Sequence, residues 1–353
     1  MSFEVEMKKY IRLLNRHYTE NFEFDRPYAE AYLRFLLEEI QKHPYHLRAY
    51  NQIAIMMMEL SCEDYILFLK KAVDRCKEKA NPDVLAMCYS NIGYFYIAQE
   101  DRYEEAEPYL LEAIRLSDRF DQPFAMLSKV YFEKQDYEKA CDFAQAALEV
   151  QNGYNNICNY AACLAMTKDY PAAYEIYQSL CENQPFNSQT ECVKFVFASL
   201  CCAVGDVQNA MQIADEIMQC KQLGNLDRDV DYADAGYLYF QCGAYEKAKL
   251  AFERSAFSVS DEYLEAYYYC CCMCGDFNAA ETKLFSEIAM LEEAEREKEE
   301  DEPKEDLSKK IDTKKETFDR IVKNGEKPVH DFKSTFIWNC LLIECPRHWN
   351  FEN

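Results

Sequence analysis

The sequence is short of residues that bend a chain. Its 353 residues include 8 glycines and 10 prolines, too few for the turns that a strand-rich sandwich or barrel needs. Positive charge is also scarce: 39 Lys and Arg against 63 Asp and Glu leave a formal net charge of −24. Nucleic acid is gripped by cations that displace its counterions. This balance therefore excludes nucleic acid and anionic membrane as partners and favours a neutral or basic protein. No long hydrophobic run occurs. The longest, Thr335 to Ile343, is broken by Asn339 and is too short to span a bilayer. Met1 to Lys9 is charged and lacks the apolar stretch of a secretory signal. The chain is read as cytoplasmic.

Catalytic signatures are missing as well. There is no Gly-rich phosphate loop, no His-Glu-x-x-His and no nucleophile elbow, and none of the five histidines sits in a known catalytic motif. Cysteine, by contrast, is plentiful at 18. Many of these thiols occupy core-like helical positions, as small apolar residues do in a reducing compartment. The run Tyr267 to Cys274 reads Tyr-Tyr-Tyr-Cys-Cys-Cys-Met-Cys. Consecutive helical residues point roughly 100° apart, so Cys271 and Cys274 share a face that Cys270 and Cys272 do not join. The run is read as packing. No catalytic residue, cofactor or metal is expected.

What the sequence has is a repeat. The signature Asp101-Arg102-Tyr103-Glu104-Glu105-Ala106 returns as Asp136-Tyr137-Glu138-Lys139-Ala140, Asp169-Tyr170-Pro171-Ala172-Ala173, Gly243-Ala244-Tyr245-Glu246-Lys247-Ala248 and Gly275-Asp276-Phe277-Asn278-Ala279-Ala280, and more weakly at Gly205 to Ala210. Its closing alanines lie 34, 33, 37, 38 and 32 residues apart. Asp or Gly before the aromatic ends one helix and caps the next. The alanine lets two helices approach closely. A second small residue, Gly93, Ser128, Ala161, Ala198 or Gly236, lies about twelve positions upstream. Tyr96, Tyr131, Leu164 and Tyr239 follow three residues after it on the same helical face.

A period of about 34 residues is that of the tetratricopeptide repeat. Tyr89, Ile92, Gly93, Tyr96, Ala106, Leu110 and Ala113 resemble one repeat of that family, with Arg102 inserted. Leu127, Tyr131, Tyr137, Ala140 and Ala147 resemble the next. Ala161, Leu164, Tyr170, Ala173, Tyr177 and Pro185 resemble a third, and Tyr232, Gly236, Tyr239, Tyr245, Ala248 and Phe252 a fifth. The resemblance covers Leu85 to Leu291 well and Asp25 to Lys79 less clearly. It implies an all-α fold, an α-solenoid or right-handed superhelix of tetratricopeptide-type helix pairs. Four segments are expected: 1–84, N-terminal helices with a divergent repeat; 85–291, an array of about six repeats; 292–330, a charged helical or disordered linker; and 331–353, a hydrophobic segment. That last segment, with Trp338 and Trp349, is expected to close the last repeat near Phe277 and Leu284. Its alternative place is the concave groove near Tyr237 and Phe240, as an internal ligand.

In this family the first helix of each pair lines the concave face. The resemblance therefore places Tyr94, Ile97, Lys129, Phe132, Phe195, Tyr237, Phe240 and Tyr269 in a groove that is aromatic and apolar. Co-chaperones of the family grip the acidic tails of Hsp70 and Hsp90 with a clamp of Lys, Asn and Arg. The matching positions here are Ser90 with Tyr94 and Ala125 with Lys129, and only Lys129, with Asn91 nearby, fits in type. Such tails are not expected as partners. The function read from the sequence is a non-enzymatic scaffold that binds an amphipathic, neutral to basic protein or peptide in the groove. A second reading is an acidic, antitoxin-like protein that neutralises a basic partner by surface charge. A third is a thiol-rich metal or redox protein.

Overall fold

A computed structural model describes residues 2–21, 23–182, 191–222, 230–255, 260–297, 307–329, 331–334 and 336–348. Among these the regular structure is helix, with no strand. The chain divides into two compact units, Met1–Thr167 with Phe336–Asn353, and Lys168–Thr335. The first unit holds α1 (Phe3–Asn21), α2 (Arg26–Lys42), α3 (Leu47–Glu59), α4 (Tyr65–Cys76), α5 (Pro82–Glu100), α6 (Tyr103–Leu116), α7 (Gln122–Glu133), α8 (Tyr137–Val150) and α9 (Tyr154–Met166). The second holds α10 (Tyr170–Cys181), α11 (Glu191–Val204), α12 (Val207–Gln222), α13 (Tyr232–Gln241), α14 (Tyr245–Arg254), α15 (Asp261–Met273), α16 (Phe277–Glu297) and α17 (Leu307–Phe318), which runs into a π-helical turn at Asp319–Lys323. Within each unit consecutive helices pack in pairs, and the first helices of neighbouring pairs also touch. The fold is an all-α solenoid. No helix among the described residues is long and apolar enough to cross a membrane.

The repeated signature explains why each pair folds back. At every junction one residue adopts a left-handed backbone: Asp101, Gln135, Lys168, Gly205, Gly243 and Gly275. It ends the first helix. The aspartate that follows in several repeats caps the second helix: Asp136 accepts from the Lys139 amide, Asp169 from Ala172, Asp206 from Asn209 and Asp276 from Ala279. The closing alanines Ala106, Ala140, Ala173, Ala210, Ala248 and Ala280 are all fully buried.

The upstream small residue is equally constrained. A Cβ on Gly93 would lie 2.4 Å from Leu110 Cδ2 and 2.7 Å from its Cγ. Leu110 is itself fully buried and has no room to swing away. Gly93→Ala should therefore overpack the α5–α6 contact and cost about 1–3 kcal/mol. Urea unfolding is the measurement, and a midpoint equal to the parent's would refute the close approach.

The C-terminal third departs from expectation. Residues 331–353 were expected as the end cap over Phe277 and Leu284, but α17 and the π-helical turn take that place. Phe318 meets the ring of Tyr268 edge-on at 5.3 Å between centroids. Ile321 is fully buried beside it, with the turn packed on α15. Lys314 Nζ lies 2.6 Å from Asp261 and 3.6 Å from Glu287, and Arg320 lies 2.7 Å from Glu265. Leu307, Ile311, Lys314, Phe318 and Ile321 fall on one helical face, a period of three and four. The acidic run before them hides this amphipathic helix from a reading by composition. Residues 336–348 group instead with the first unit.

Candidate peptide-binding groove

Residues 336–348 form no helix and run across the first helices of the first unit in reverse order. Phe336 lies against Phe132 of α7, with ring centroids 5.5 Å apart. Trp338 stacks on Tyr94 of α5 at 6.0 Å and 8°. Leu342 and Ile343 are buried. Glu344 meets Arg48 of α3, and the Arg347 guanidinium lies 3.0 Å from Glu59 at the end of that helix.

The main chain of this segment is held by side-chain amides. Asn159 of α9 donates to the Ile337 carbonyl at 3.0 Å and accepts from the Ile337 N–H at 2.7 Å. Asn91 of α5 treats Ile343 the same way, at 3.1 and 2.8 Å. Gln52 of α3 donates to the Glu344 carbonyl at 3.2 Å. Two further bonds orient these amides: Asn91 also donates to Asn51 at 3.0 Å, and Tyr32 donates to Gln52 Oε1 at 2.9 Å. Gln52, Asn91 and Asn159 each sit two residues before a small residue of their helix, Ala54, Gly93 and Ala161. They are one position of the repeat, used three times.

The spacing matches the occupant. Asn91 and Asn159 are 68 residues apart, two repeats of 34. Neighbouring packed helices lie about 8–10 Å apart, so two steps cover about 16–20 Å. Ile337 and Ile343 are six residues apart in the chain, and six extended residues cover about 20 Å. One end of the groove carries charge. The Glu344 carboxyl is raised above its ordinary range by burial, an effect opposed by the Arg48 guanidinium and the Gln52 amide. Arg48 also pairs with Glu4 at 3.0 Å.

In the second unit residues 324–329 and 331–334 are likewise non-helical. Lys327 Nζ lies 5.8 Å from the centre of the Phe240 ring, and Phe332 meets Tyr170 at 5.7 Å. Residues Lys327 to Val329 line one depression with Tyr237, Phe240 and Cys202.

The residues singled out in the sequence are distributed as follows. Tyr94 and Phe132 touch the C-terminal segment, and Lys129 pairs with Glu133 while lying 5.8 Å from the Phe336 ring centre. Tyr237 is buried and stacks on Tyr263 at 4.7 Å, and Phe240 is buried with the edge of Tyr269 against it. Ile97 faces the hydrophobic core, and Phe195 is half-buried on α11. Gln52 and Asn159 escaped the sequence reading, which named Asn91 only as similar in type to a clamp residue and placed the groove one and four residues after the small one and three before it. The available signal was a polar amide recurring where the helix pattern demands burial, because a buried amide must have partners. Arg48 carried no such signal.

Cysteine follows a similar pattern. Cys270 and Cys271 are buried in the second unit, and burial pushes the Cys271 thiol up to about 12. The cysteines with a histidine partner are elsewhere: ligand atoms of Cys340, Cys345 and His348 all lie within 4.8 Å of one another.

Comparison with known proteins adds a family match for two of the helix pairs. The tetratricopeptide-repeat model matches residues 87–119 and 122–154, the stretches that form α5 with α6 and α7 with α8. No curated protein matches the chain in sequence. Among solved structures, PilF of Pseudomonas aeruginosa is 14% identical, covering 59% of this chain and 92% of that one at a TM-score of 0.45. The complex of Naa15/Naa10 bound to HypK-THB is 16% identical, covering 87% of this chain and 44% of that one at a TM-score of 0.36. Helix pairs thus recur at about 34 residues, and two of them, α5 with α6 and α7 with α8, match the tetratricopeptide-repeat family directly.

Proposed function

We propose that this protein-interaction scaffold binds an extended peptide segment along α3, α5, α7 and α9, and that its own residues 336–348 hold the place of that peptide. The observation that carries this reading is the paired use of Asn91 and Asn159, each bonded to both main-chain groups of one isoleucine. Such clamps recognise an extended backbone whatever its side chains, while neighbouring pockets select among sequences. Here the pockets ask for an aromatic over Tyr94, another over Phe132, and a carboxylate at Arg48. The net charge of −24 favours basic residues in the partner outside that stretch.

An attached segment competes at an effective concentration on the order of mM. A partner must exceed that to enter, so the segment acts as a threshold. The test is a chain ending at Ser334 and a labelled synthetic peptide of residues 334–350. The peptide should bind the shortened chain in fluorescence anisotropy and bind the full chain at least about tenfold more weakly. Circular dichroism of the shortened chain should keep its helical signal. Equal binding to both chains, or to neither while the shortened chain is folded, would end this reading.

A further inference from the structure

We infer that Cys340, Cys345 and His348 form a binding site for one zinc ion. All three side chains come from a single nine-residue stretch, and their ligand atoms lie within 4.8 Å of one another. The Cys345 sulfur is 3.8 Å from His348 Nδ1. Zinc binds thiolate at about 2.3 Å and imidazole at about 2.0–2.1 Å in a tetrahedron. That geometry sets sulfur and nitrogen ligands about 3.6 Å apart, close to the spacing already present. Two thiolates and an imidazole suit zinc, whereas magnesium and calcium require oxygen ligands.

The backbone is shaped for this convergence. Glu344 adopts a left-handed conformation and turns the chain just before Cys345, and the His348 N–H bonds the Cys345 carbonyl at 3.2 Å. The turn is anchored from outside, by Arg48 on the Glu344 side chain and by Gln52 and Asn91 on the adjacent main chain. Arg347 Nη2 lies 3.8 Å from Cys340 Sγ. The same guanidinium is neutralised by Glu59. Two thiolates balance the dication, and the two thiol protons pass to solvent on binding. Cys345 is buried, Cys340 half-buried and His348 exposed, so the site is reached from the His348 side. A fourth position remains for water, as zinc sites with three protein ligands have. This inference rests on the ligand geometry of a segment that the proposed peptide binding also uses, and its test reads metal ligation rather than peptide affinity.

The experiment uses the full chain, kept reduced with a phosphine, and cobalt(II) followed by zinc(II) as probes. Tetrahedral thiolate ligation should give a sulfur-to-cobalt charge-transfer band and strong visible d–d bands, saturating at one equivalent and bleached by zinc. Cys345→Ser and His348→Ala should each weaken binding at least about tenfold, since losing even an outer-shell partner of a metal ligand costs about 10–100-fold. His348 is exposed, so its alanine variant keeps the fold, which circular dichroism verifies. Cys274→Ser, at an exposed cysteine of the second unit, should bind as the parent does. Absence of the bands in the parent, or equal affinity in parent and His348→Ala, would overturn the site.

Discussion

Replacing Asn91 and Asn159 together by alanine is expected to release residues 336–348 from the groove. The substitution leaves the N–H and C=O of Ile337 and of Ile343 without partners. An unsatisfied buried polar group costs roughly 1–3 kcal/mol; that cost falls in full on the buried Ile343 pair and in part on the part-buried Ile337 pair, against about 0.5–1.5 kcal/mol for each of the Trp338 and Phe336 stacks beyond their burial. In a Trp349→Phe background the emission reports Trp338 alone, and it should shift to the red as the indole leaves Tyr94. Protease cleavage between Gly325 and Phe336 should become faster. The double variant should also fail to bind the 334–350 peptide in the chain shortened at Ser334. An unchanged emission spectrum in a folded double variant would show that side-chain packing, not the amides, holds the segment.

The second large effect belongs to the other unit. Phe318 is buried against Tyr268 at the start of the π-helical turn. Truncating a buried Phe to Ala costs about 3–5 kcal/mol through lost transfer energy and the cavity left behind. Phe318→Ala should detach 307–323 and expose the faces of α15 and α16 that a solenoid must cover at its end. Hydrogen exchange across α15 to α17 should accelerate while exchange in α3 to α9 stays as in the parent. A stability change within about 0.5 kcal/mol, the range of surface substitutions, would mean that α17 is no cap.

These two outcomes mark where the sequence was legible and where it was not. The helix pairs were readable because Ala106, Ala140, Ala173 and Ala248 obey a short-range rule: two backbones approach, so no side chain fits. The junctions were readable because a left-handed residue and an aspartate cap act within four residues. Tyr94 and Phe132, whose rings meet Trp338 and Phe336, were singled out from helical periodicity together with the family resemblance. The cap was misassigned for a physical reason. Apolar mass alone does not say where a segment docks, and Phe332 to Ile343 is richer in it than Leu307 to Ile321. Placement depends on polar groups that need partners, and Asn91, Asn159 and Gln52 declare themselves only when their burial is seen. The Cys340, Cys345 and His348 cluster was hidden similarly, because its spacing becomes a convergence only through the turn at Glu344.

The paired asparagines imply a ruler. Each clamp takes both main-chain groups of one residue, and the two clamped residues are six apart. Proline has no N–H to give, so it is barred at both marks of any competing peptide. β-branched residues prefer the extended backbone, and this chain places Ile337 and Ile343 there. A peptide with its β-branched residues five or seven apart would engage one clamp and miss the other. Competing sequences can thus be sorted by counting: two β-branched, non-proline residues at a separation of six, an aromatic directly after the first and an acid directly after the second.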